Sequence, residues 1–221
     1  MPRRPRCAVS AYAYHVMNRR ILNLTLFDDS TEYQTFIEIL VRGLSQASVG
    51  VLAYCVMPNH WHLVLRCTST VELSRLMHWI TTTHARAWHR RRNSAGRGPV
   101  YKGRFLSVPL AEAGDVIRVC RYVERNPLKA GLVERAELWH WSSLADHVSP
   151  QPMVPLMDVP TLRCAAWLDH VNRPSVRTEE DELNHLEESD DDCCEPAGTD
   201  QAADSRSEPA LLAGAVLATV R

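Results

Sequence analysis

The sequence predicts an α+β domain that precedes an acidic C-terminal segment. Segments with strand-like alternation and segments with helical spacing follow one another through residues 10–147. Of the 221 residues, 45% are hydrophobic, which is enough for a sizeable core. Charge then divides the chain: residues 1–146 carry 20 Arg and Lys against 11 Asp and Glu, and residues 147–221 carry 5 against 15. A basic body of this kind suits a polyanionic partner.

Three regions follow from this composition. We expect a folded domain over residues 1–147, and a Pro-containing linker or packed extension over residues 148–176. Residues 177–221 are acidic and contain few large apolar side chains before a short terminal apolar stretch, so we expect a disordered acidic tail. No stretch reaches the roughly 18 apolar residues of a membrane helix. Seven cysteines without a repeated CxxC predict neither a disulfide framework nor a zinc knuckle, which fits a reducing cytoplasm.

The first half of the domain reads as strand, helix and hairpin. Residues 11–19 alternate as a strand, and the Asp28-Asp29-Ser30 run offers caps for a helix whose apolar residues recur at helical spacing. Residues 49–57 predict a second strand. Pro58-Asn59 is a turn signal, and residues 60–67 form a third strand rich in bulky side chains. Strands two and three therefore make a hairpin.

The second half adds a long helix, a strand and a third helix. Residues 71–92 have one apolar face, residues 93–99 are a loop, and residues 100–110 read as a fourth strand. The third helix, residues 115–125, should end at Asn126-Pro127. The order β-α-β-β-α-β matches the ferredoxin-like split βαβ pattern: a four-stranded antiparallel sheet with two helices on one face. The third helix needs a place on the sheet or at its edge.

The third strand begins His60-Trp61-His62. Side chains two apart on a strand point to the same face, about 7 Å apart, so two imidazoles can ligate one metal ion. Taken alone, such a pair is more typical of packing or surface residues than of a metal site. His15 and Asn18, on the first strand, either lie near this pair or satisfy the edge of the sheet.

The third helix carries a second candidate pair. Tyr122 and Asn126 are four residues apart and share a helix face. The amide oxygen of Asn126 can ligate a cation, and Tyr122 would be a nucleophile one turn away. The alternative is that Tyr122 packs in the core and Asn126 caps the helix before Pro127.

Taken in order, the segments YHVMNR (14–19), LAYCVMPNHWHLVLR (52–66), YKGRF (101–105) and CRYVERNPLKAGLV (120–133) resemble the REP-associated and insertion-sequence tyrosine transposases. That family belongs to the single-strand DNA nickases with a His-hydrophobe-His motif. The resemblance covers roughly residues 10–147, which would be the transposase-like catalytic domain.

The resemblance implies a metal-dependent enzyme that cleaves and rejoins single-stranded DNA near hairpins. His60, His62 and Asn126 would bind Mg²⁺ or Mn²⁺, and Tyr122 would form a 5′-phosphotyrosine intermediate. Relatives include monomers and dimers with exchanged tyrosine helices, so a homodimer stays open. The expected location is the cytoplasm, in association with the nucleoid. The alternatives are a non-catalytic module that binds single-stranded DNA or RNA, and a domesticated transposase that acts as a regulator.

DNA contacts would come from basic and aromatic side chains of the body. Base stacking is predicted for Trp61, with Tyr101 and Phe105 as further candidates. Arg-rich composition also follows from GC-rich coding, so any single arginine could be a solvated surface residue. The candidate phosphate contacts are Arg86, Arg90, Lys102, Arg104, Arg118, Arg121 and Arg125.

Overall fold

A computed structural model describes residues 13–174 of the chain. In this part the elements are β1 (Ala13–Arg19), α1 (Ser30–Leu44), β2 (Val49–Val56), β3 (His60–Cys67), α2 (Thr70–Arg91), β4 (Leu106–Leu110), α3 (Ala113–Lys129), α4 (Ser143–Val148) and α5 (Ala165–Asn172). The disorder predicted for residues 177–221 lies outside the described residues. Between residues 13 and 174, no helix combines the length and apolar character that crossing a membrane requires.

The four strands form one antiparallel sheet in the order β2-β3-β1-β4. This is the predicted ferredoxin-like α+β architecture, and the prediction is confirmed. β3 and β1 occupy the centre, where Arg19 lies opposite His60 and Asn18 lies opposite Trp61. The predicted hairpin is present, with Met57 donating its N–H to the carbonyl of His60 across the turn at 2.8 Å.

Helices cover both faces of the sheet. On one face, Trp61, Leu63 and Leu65 of β3 join the core formed with α1 and α2. On the other face, Val64 packs with apolar residues of α3, α4 and α5. Because successive strand residues point to opposite faces, His62 lies on the α3 side together with Val64. The third helix therefore occupies the sheet face opposite the two ferredoxin-like helices.

Helix ends are tied together by charge. Asp29 caps α1, since its side chain accepts hydrogen bonds from the backbone N–H groups of Thr31 and Glu32. Arg91 at the end of α2 pairs with Asp29 at 2.5 Å, and Arg92 pairs with Glu32. The two helices on this face are thus joined at the point where one begins and the other ends.

The fourth strand is shorter than predicted because it begins only after residues 99–105. That preceding segment lies outside the sheet apart from one isolated bridge between Tyr101 and Arg20. Tyr101 is instead anchored on the core. Its hydroxyl accepts a hydrogen bond from Trp61 Nε1 at 3.2 Å and lies 2.6 Å from His84 Nδ1. This segment forms a separate wall beside α2.

The third helix is longer than predicted and continues through Pro127 to Lys129. Pro127 lies in the last turn, so it removes only its own N–H from the helix and leaves the preceding turns intact. The chain then turns at Gly131, whose φ of 68° lies in the left-handed region that glycine adopts without strain. As a result, Lys129 is helical and lies two turns beyond Tyr122.

The described part of residues 148–176 packs on the body. Trp167 and Val171 of α5 are almost fully buried. Glu124 of α3 accepts hydrogen bonds from Trp167 Nε1 at 2.7 Å and from Ser143 Oγ at 2.5 Å. Burial raises the pKa of Glu124 to about 7, although the hydrogen bonds from Ser143 and Trp167 oppose this shift.

This raised pKa predicts a pH dependence of stability. In the unfolded chain Glu124 ionises near its ordinary pKa of 4.5, whereas in the folded protein it keeps its proton up to about 7. The folded state therefore binds more protons in this interval, and its contribution to stability falls as the pH rises from about 4.5 to about 7. The loss is about 3 kcal/mol at most, at 1.36 kcal/mol per pKa unit.

The measurement is the free energy of unfolding by urea at several pH values for wild type and Glu124→Gln. We expect the wild type to lose stability relative to Glu124→Gln across this interval. Exposed Glu134→Gln is the control and should follow wild type. A constant difference between wild type and Glu124→Gln at all pH values contradicts the prediction.

Candidate active site

His60 and His62 form the base of the candidate site on the α3 side of the sheet. Their ring centroids are 4.8 Å apart and the ring planes are nearly perpendicular. His62 is fully buried beneath α3. His60 is the first residue of β3 and is partly exposed. The pair therefore opens toward the end of the sheet.

Tyr122 and Asn126 reach the same place from α3. The centroid of the Tyr122 ring is 5.9 Å from that of His62, with the rings edge to face. The side chain of Asn126 hydrogen-bonds His60, and its Nδ2 donates to the carbonyl of Tyr122 at 3.3 Å. One chain thus brings together the four residues that the sequence singled out.

Both imidazoles are neutral at neutral pH. Burial and the charge of Arg19 lower the pKa of His60 to about 4, against the opposing hydrogen bond with Asn126. Burial lowers the pKa of His62 well below its usual value. Repulsion between a protonated His62 and positive charge on the neighbouring groups acts in the same direction; these groups are His60, His15 and Lys129. His60 Nδ1 lies 2.5 Å from Asn59 Oδ1, and an amide oxygen only accepts. With the proton on Nδ1, Nε2 keeps its lone pair, and this is the form in which imidazole binds metals.

His15 joins the site directly, an alternative that the sequence had left open. Its Nε2 lies 3.1 Å from Nδ1 of His62, and the two rings are stacked. Burial lowers the pKa of His15 to about 4, so one neutral ring donates and the other accepts. When His62 donates from Nδ1, its Nε2 carries a lone pair toward the site. The alternation of β1 predicts which face of the sheet His15 occupies. Its contact with His62 is diagonal between two strands, so predicting that contact requires the register of β1 against β3.

Asn18 lies on the opposite face of β1. Its Nδ2 donates to the carbonyl of Gly103 at 3.3 Å, and its Oδ1 accepts from the N–H of Arg19. Asn18 therefore holds the 99–105 segment against the sheet and has no contact with the imidazoles.

Lys129 is a member of the site that the sequence reasoning missed. Its Nζ lies 5.3 Å from the centroid of the Tyr122 ring, and the residue is exposed. The predicted helix ended at residue 125 and so excluded it. The available signal was its spacing of seven residues from Tyr122, which returns to the same helix face after two turns.

Three of the predicted DNA contacts share one groove. A groove of about 720 Å³ lies between α2 and residues 99–105, and it is lined by Arg86, Lys102 and Arg104 together with polar residues of α2. None of the described residues lining it is acidic. The backbone N–H of Lys102 donates to the carbonyl of Arg19 at 3.0 Å, and Arg19 pairs with His60. The wall of the groove is therefore joined through Arg19 to the strand end that carries His60.

The other predicted arginines lie elsewhere. Arg121 donates to the carbonyls of His170 and Arg173 at 2.9 and 2.7 Å, and Arg125 donates to the carbonyl of Val171 at 2.9 Å. These two guanidinium groups hold the end of α5, because they lie on the face of α3 that the extension covers. The remaining two are exposed: Arg118 pairs with Asp115, and Arg90 lies in the last turn of α2 outside the groove lining.

Base stacking by Trp61 does not fit the structure. Its side chain is fully buried, with its ring against Phe36. Tyr101 and Phe105 are also buried. The physical reason is the strand alternation itself, since the residue between two site-facing histidines must point to the opposite, helix-covered face.

The donor set is compatible with a divalent ion. It consists of imidazole nitrogens from His60 and His62 and the side-chain oxygen of Asn126, and both imidazoles are in the neutral form that ligation requires. Within residues 13–174, no group of three or more His, Cys, Asp or Glu could hold a metal. An ion bound here would therefore depend on the amide of Asn126 and on water or substrate oxygens, as ions such as Mg²⁺ and Mn²⁺ commonly do.

The sequence matches one family of transposases. The model of the family described as "Transposase IS200 like" matches residues 8–126, more than half of the chain. The chain therefore belongs to the IS200-like transposase family.

One solved structure agrees in fold. A REP-associated tyrosine transposase bound to a REP hairpin is 18% identical and superposes with a TM-score of 0.56, covering 72% of this chain and 93% of that one. A protein of Deinococcus radiodurans R1 named as a transposase is 17% identical over 55% of this chain and 95% of its own, with a TM-score of 0.38 that is too low to bear on the fold. No curated protein matches the sequence.

The contact between His15 and His62 predicts a loss of metal affinity when His15 is removed. Loss of a partner that orients a ligating imidazole typically weakens metal binding about 10- to 100-fold. We expect at least a tenfold weaker affinity for Mn²⁺ in His15→Ala, measured by isothermal titration calorimetry near neutral pH. Exposed His78→Ala controls for binding by surface imidazoles and should match wild type. Equal affinities of His15→Ala and wild type contradict the prediction.

Proposed function

We propose that this transposase-family protein is a metal-dependent endonuclease and strand transferase that cleaves and rejoins single-stranded DNA beside hairpins, with Tyr122 as the nucleophile. One observation carries the proposal: a phenol from α3, two neutral imidazoles from β3 and the amide of Asn126 converge within one chain. A phenol packed only among aliphatic side chains would have argued against it. Here its ring has histidine edges and a lysine ammonium as neighbours.

The proposed reaction is a transesterification. Tyr122 Oη attacks the scissile phosphorus, a P–O bond to the phenol forms, and the bond to the 3′ oxygen breaks. The phenolic proton leaves to solvent, and the departing oxygen takes a proton to become a 3′-OH. The 5′-phosphotyrosine ester keeps the bond energy, so a 3′-OH can reverse the step and join strands without ATP. A divalent ion, when bound, polarises the phosphate and favours ionisation of the phenol.

The chain's own residues set the geometry of this step. His60, His62 and Asn126 are the residues that would hold a divalent ion, while His15 orients the ring of His62. Glu124, two residues after Tyr122, is occupied by Ser143 and Trp167 on the side of α3 toward α5. It is therefore turned away from a role in activating water, which favours the phenol as nucleophile over hydrolysis.

The position of α3 supports catalysis within one chain. Tyr122 meets the imidazoles of its own β3, so assembly of the site needs no helix from a second copy. A homodimer would be compatible with this arrangement without being required for cleavage.

The proposed substrate follows from charge and from the structural relative. The relative with the same fold was solved with a REP hairpin, and the wall of the basic groove is bonded to Arg19, which lies opposite His60. We assign the groove to the DNA backbone, with phosphate contacts from Arg86, Lys102 and Arg104. Such a substrate places the protein in the cytoplasm, at the nucleoid.

The first test is covalent adduct formation with a labelled hairpin oligonucleotide that carries single-stranded extensions. We expect a denaturation-resistant adduct in Mg²⁺ or Mn²⁺ and none in chelator. Tyr122→Phe should abolish it because the attacking oxygen is gone, and His62→Ala should reduce it at least a hundredfold. Tyr33→Phe, at another buried tyrosine, should leave it unchanged.

An adduct that persists in Tyr122→Phe assigns the nucleophile to another residue and overturns the proposal. Hairpin binding without any adduct, indifferent to metal and to loss of His60 and His62, would identify a binding module or a domesticated regulator instead.

The second test concerns the groove. Lys102→Ala and Arg104→Ala should each weaken hairpin binding, because each removes one phosphate contact. Each should also lower the slope of log affinity against log salt by about 0.7 to 1. Fluorescence anisotropy over a salt series measures both effects. Arg42→Ala, at an exposed arginine at the end of α1, should change neither the affinity nor the slope. An unchanged slope in Lys102→Ala and Arg104→Ala would contradict DNA binding in the groove.

A further inference from the structure

Lys129 lies beside the ring of the proposed nucleophile. Its Nζ lies 5.3 Å from the centroid of the Tyr122 ring. The chain has only two lysines, and the other, Lys102, lies in the groove. We propose that Lys129 is a catalytic residue whose ammonium contacts a non-bridging oxygen of the scissile phosphate. This inference rests on the proposed function and adds to it a charge that does not depend on the metal.

Helix geometry sets Lys129 in line with the other α3 members of the site. Tyr122, Asn126 and Lys129 follow at spacings of four and three residues, so they form one stripe along α3. The side chain of Asn126 lies toward His60, and Lys129, three residues further along the helix, lies at the protein surface. We therefore expect a strand that reaches Tyr122 to pass the exposed ammonium.

Charge at this position matches the charge of the reaction. During attack, negative charge increases on the non-bridging phosphate oxygens, and a fixed donor aimed at them stabilises the transition state. The rings that face the Tyr122 ring are the buried imidazoles of His15 and His62. The exposed Lys129 ammonium adds a positive charge beside the same ring.

A structural role is the rival explanation. A lysine in the last turn of a helix also interacts favourably with the helix dipole, and a cation over an aromatic ring stabilises packing. Neither effect depends on the charge of one phosphate in the DNA. A thermodynamic cycle between the side chain and that phosphate therefore separates the two roles.

The experiment measures binding rather than cleavage. Full-length Tyr122→Phe is titrated in chelator with a hairpin oligonucleotide that has either a normal phosphate or an uncharged methylphosphonate at the scissile position. We expect the methylphosphonate to weaken binding about tenfold, the order of one charge-assisted hydrogen bond. In Tyr122→Phe/Lys129→Ala the normal oligonucleotide should bind about tenfold more weakly, and the methylphosphonate should then cost little.

Two variants serve as controls. Tyr122→Phe/Lys129→Arg keeps the charge and should keep most of the sensitivity to the methylphosphonate. Tyr122→Phe/Lys102→Ala should bind more weakly overall yet keep the full sensitivity, because its contact is to another phosphate. Equal sensitivity in Lys129→Ala and its parent overturns the role of Lys129. Absence of hairpin binding by Tyr122→Phe itself would instead overturn the proposed function.

Discussion

The candidate site depends on one constraint, which is the position of α3 against the sheet. Ferredoxin-like helices cover only one face of the sheet, and the opposite face needs its own cover. Apolar residues of α3 supply it, with Cys120 and Val123 packing beside Val64 of β3. Toward β2 and α5, Glu124 of α3 is held by Ser143, whose hydroxyl also accepts the N–H of Tyr54 in β2 at 3.0 Å. Apolar packing and these hydrogen bonds together fix where Tyr122 lies.

The fold was largely predictable because the sequence shows two clear periodicities, that of strands and that of helices. Alternation identified the strands, helical spacing identified the helices, and Pro58-Asn59 marked the hairpin. The place of α3 was not predictable, since an apolar stripe shows that a helix is half-buried without showing against which surface. Its end was misjudged for a local reason: Asn126-Pro127 is a common stop signal, but here the proline falls where a helix tolerates a missing N–H.

The site was predictable where one strand or one helix held the whole signal. His60 with His62, and Tyr122 with Asn126, are pairs within single elements. His15 was left open because its contact with His62 crosses two strands and depends on their register. Arg121 and Arg125 show the converse limit. Sequence reveals that they are basic, whereas the backbone carbonyls of α5 that they bind become neighbours only after folding.

Trp61 links the candidate active site to the groove between α2 and residues 99–105, although its side chain lines neither of them. It stands between His60 and His62 on β3, and on the opposite side of the sheet its indole N–H binds the hydroxyl of Tyr101. Tyr101 precedes Lys102, so the same hydrogen bond fixes the start of the groove wall relative to the imidazoles. Because both partners are buried, breaking the bond leaves unsatisfied polar groups in the core, which makes the linkage stiff. Under the proposed assignment of the groove to DNA, a duplex bound there would present its single-stranded end to Tyr122 at a set distance from the hairpin.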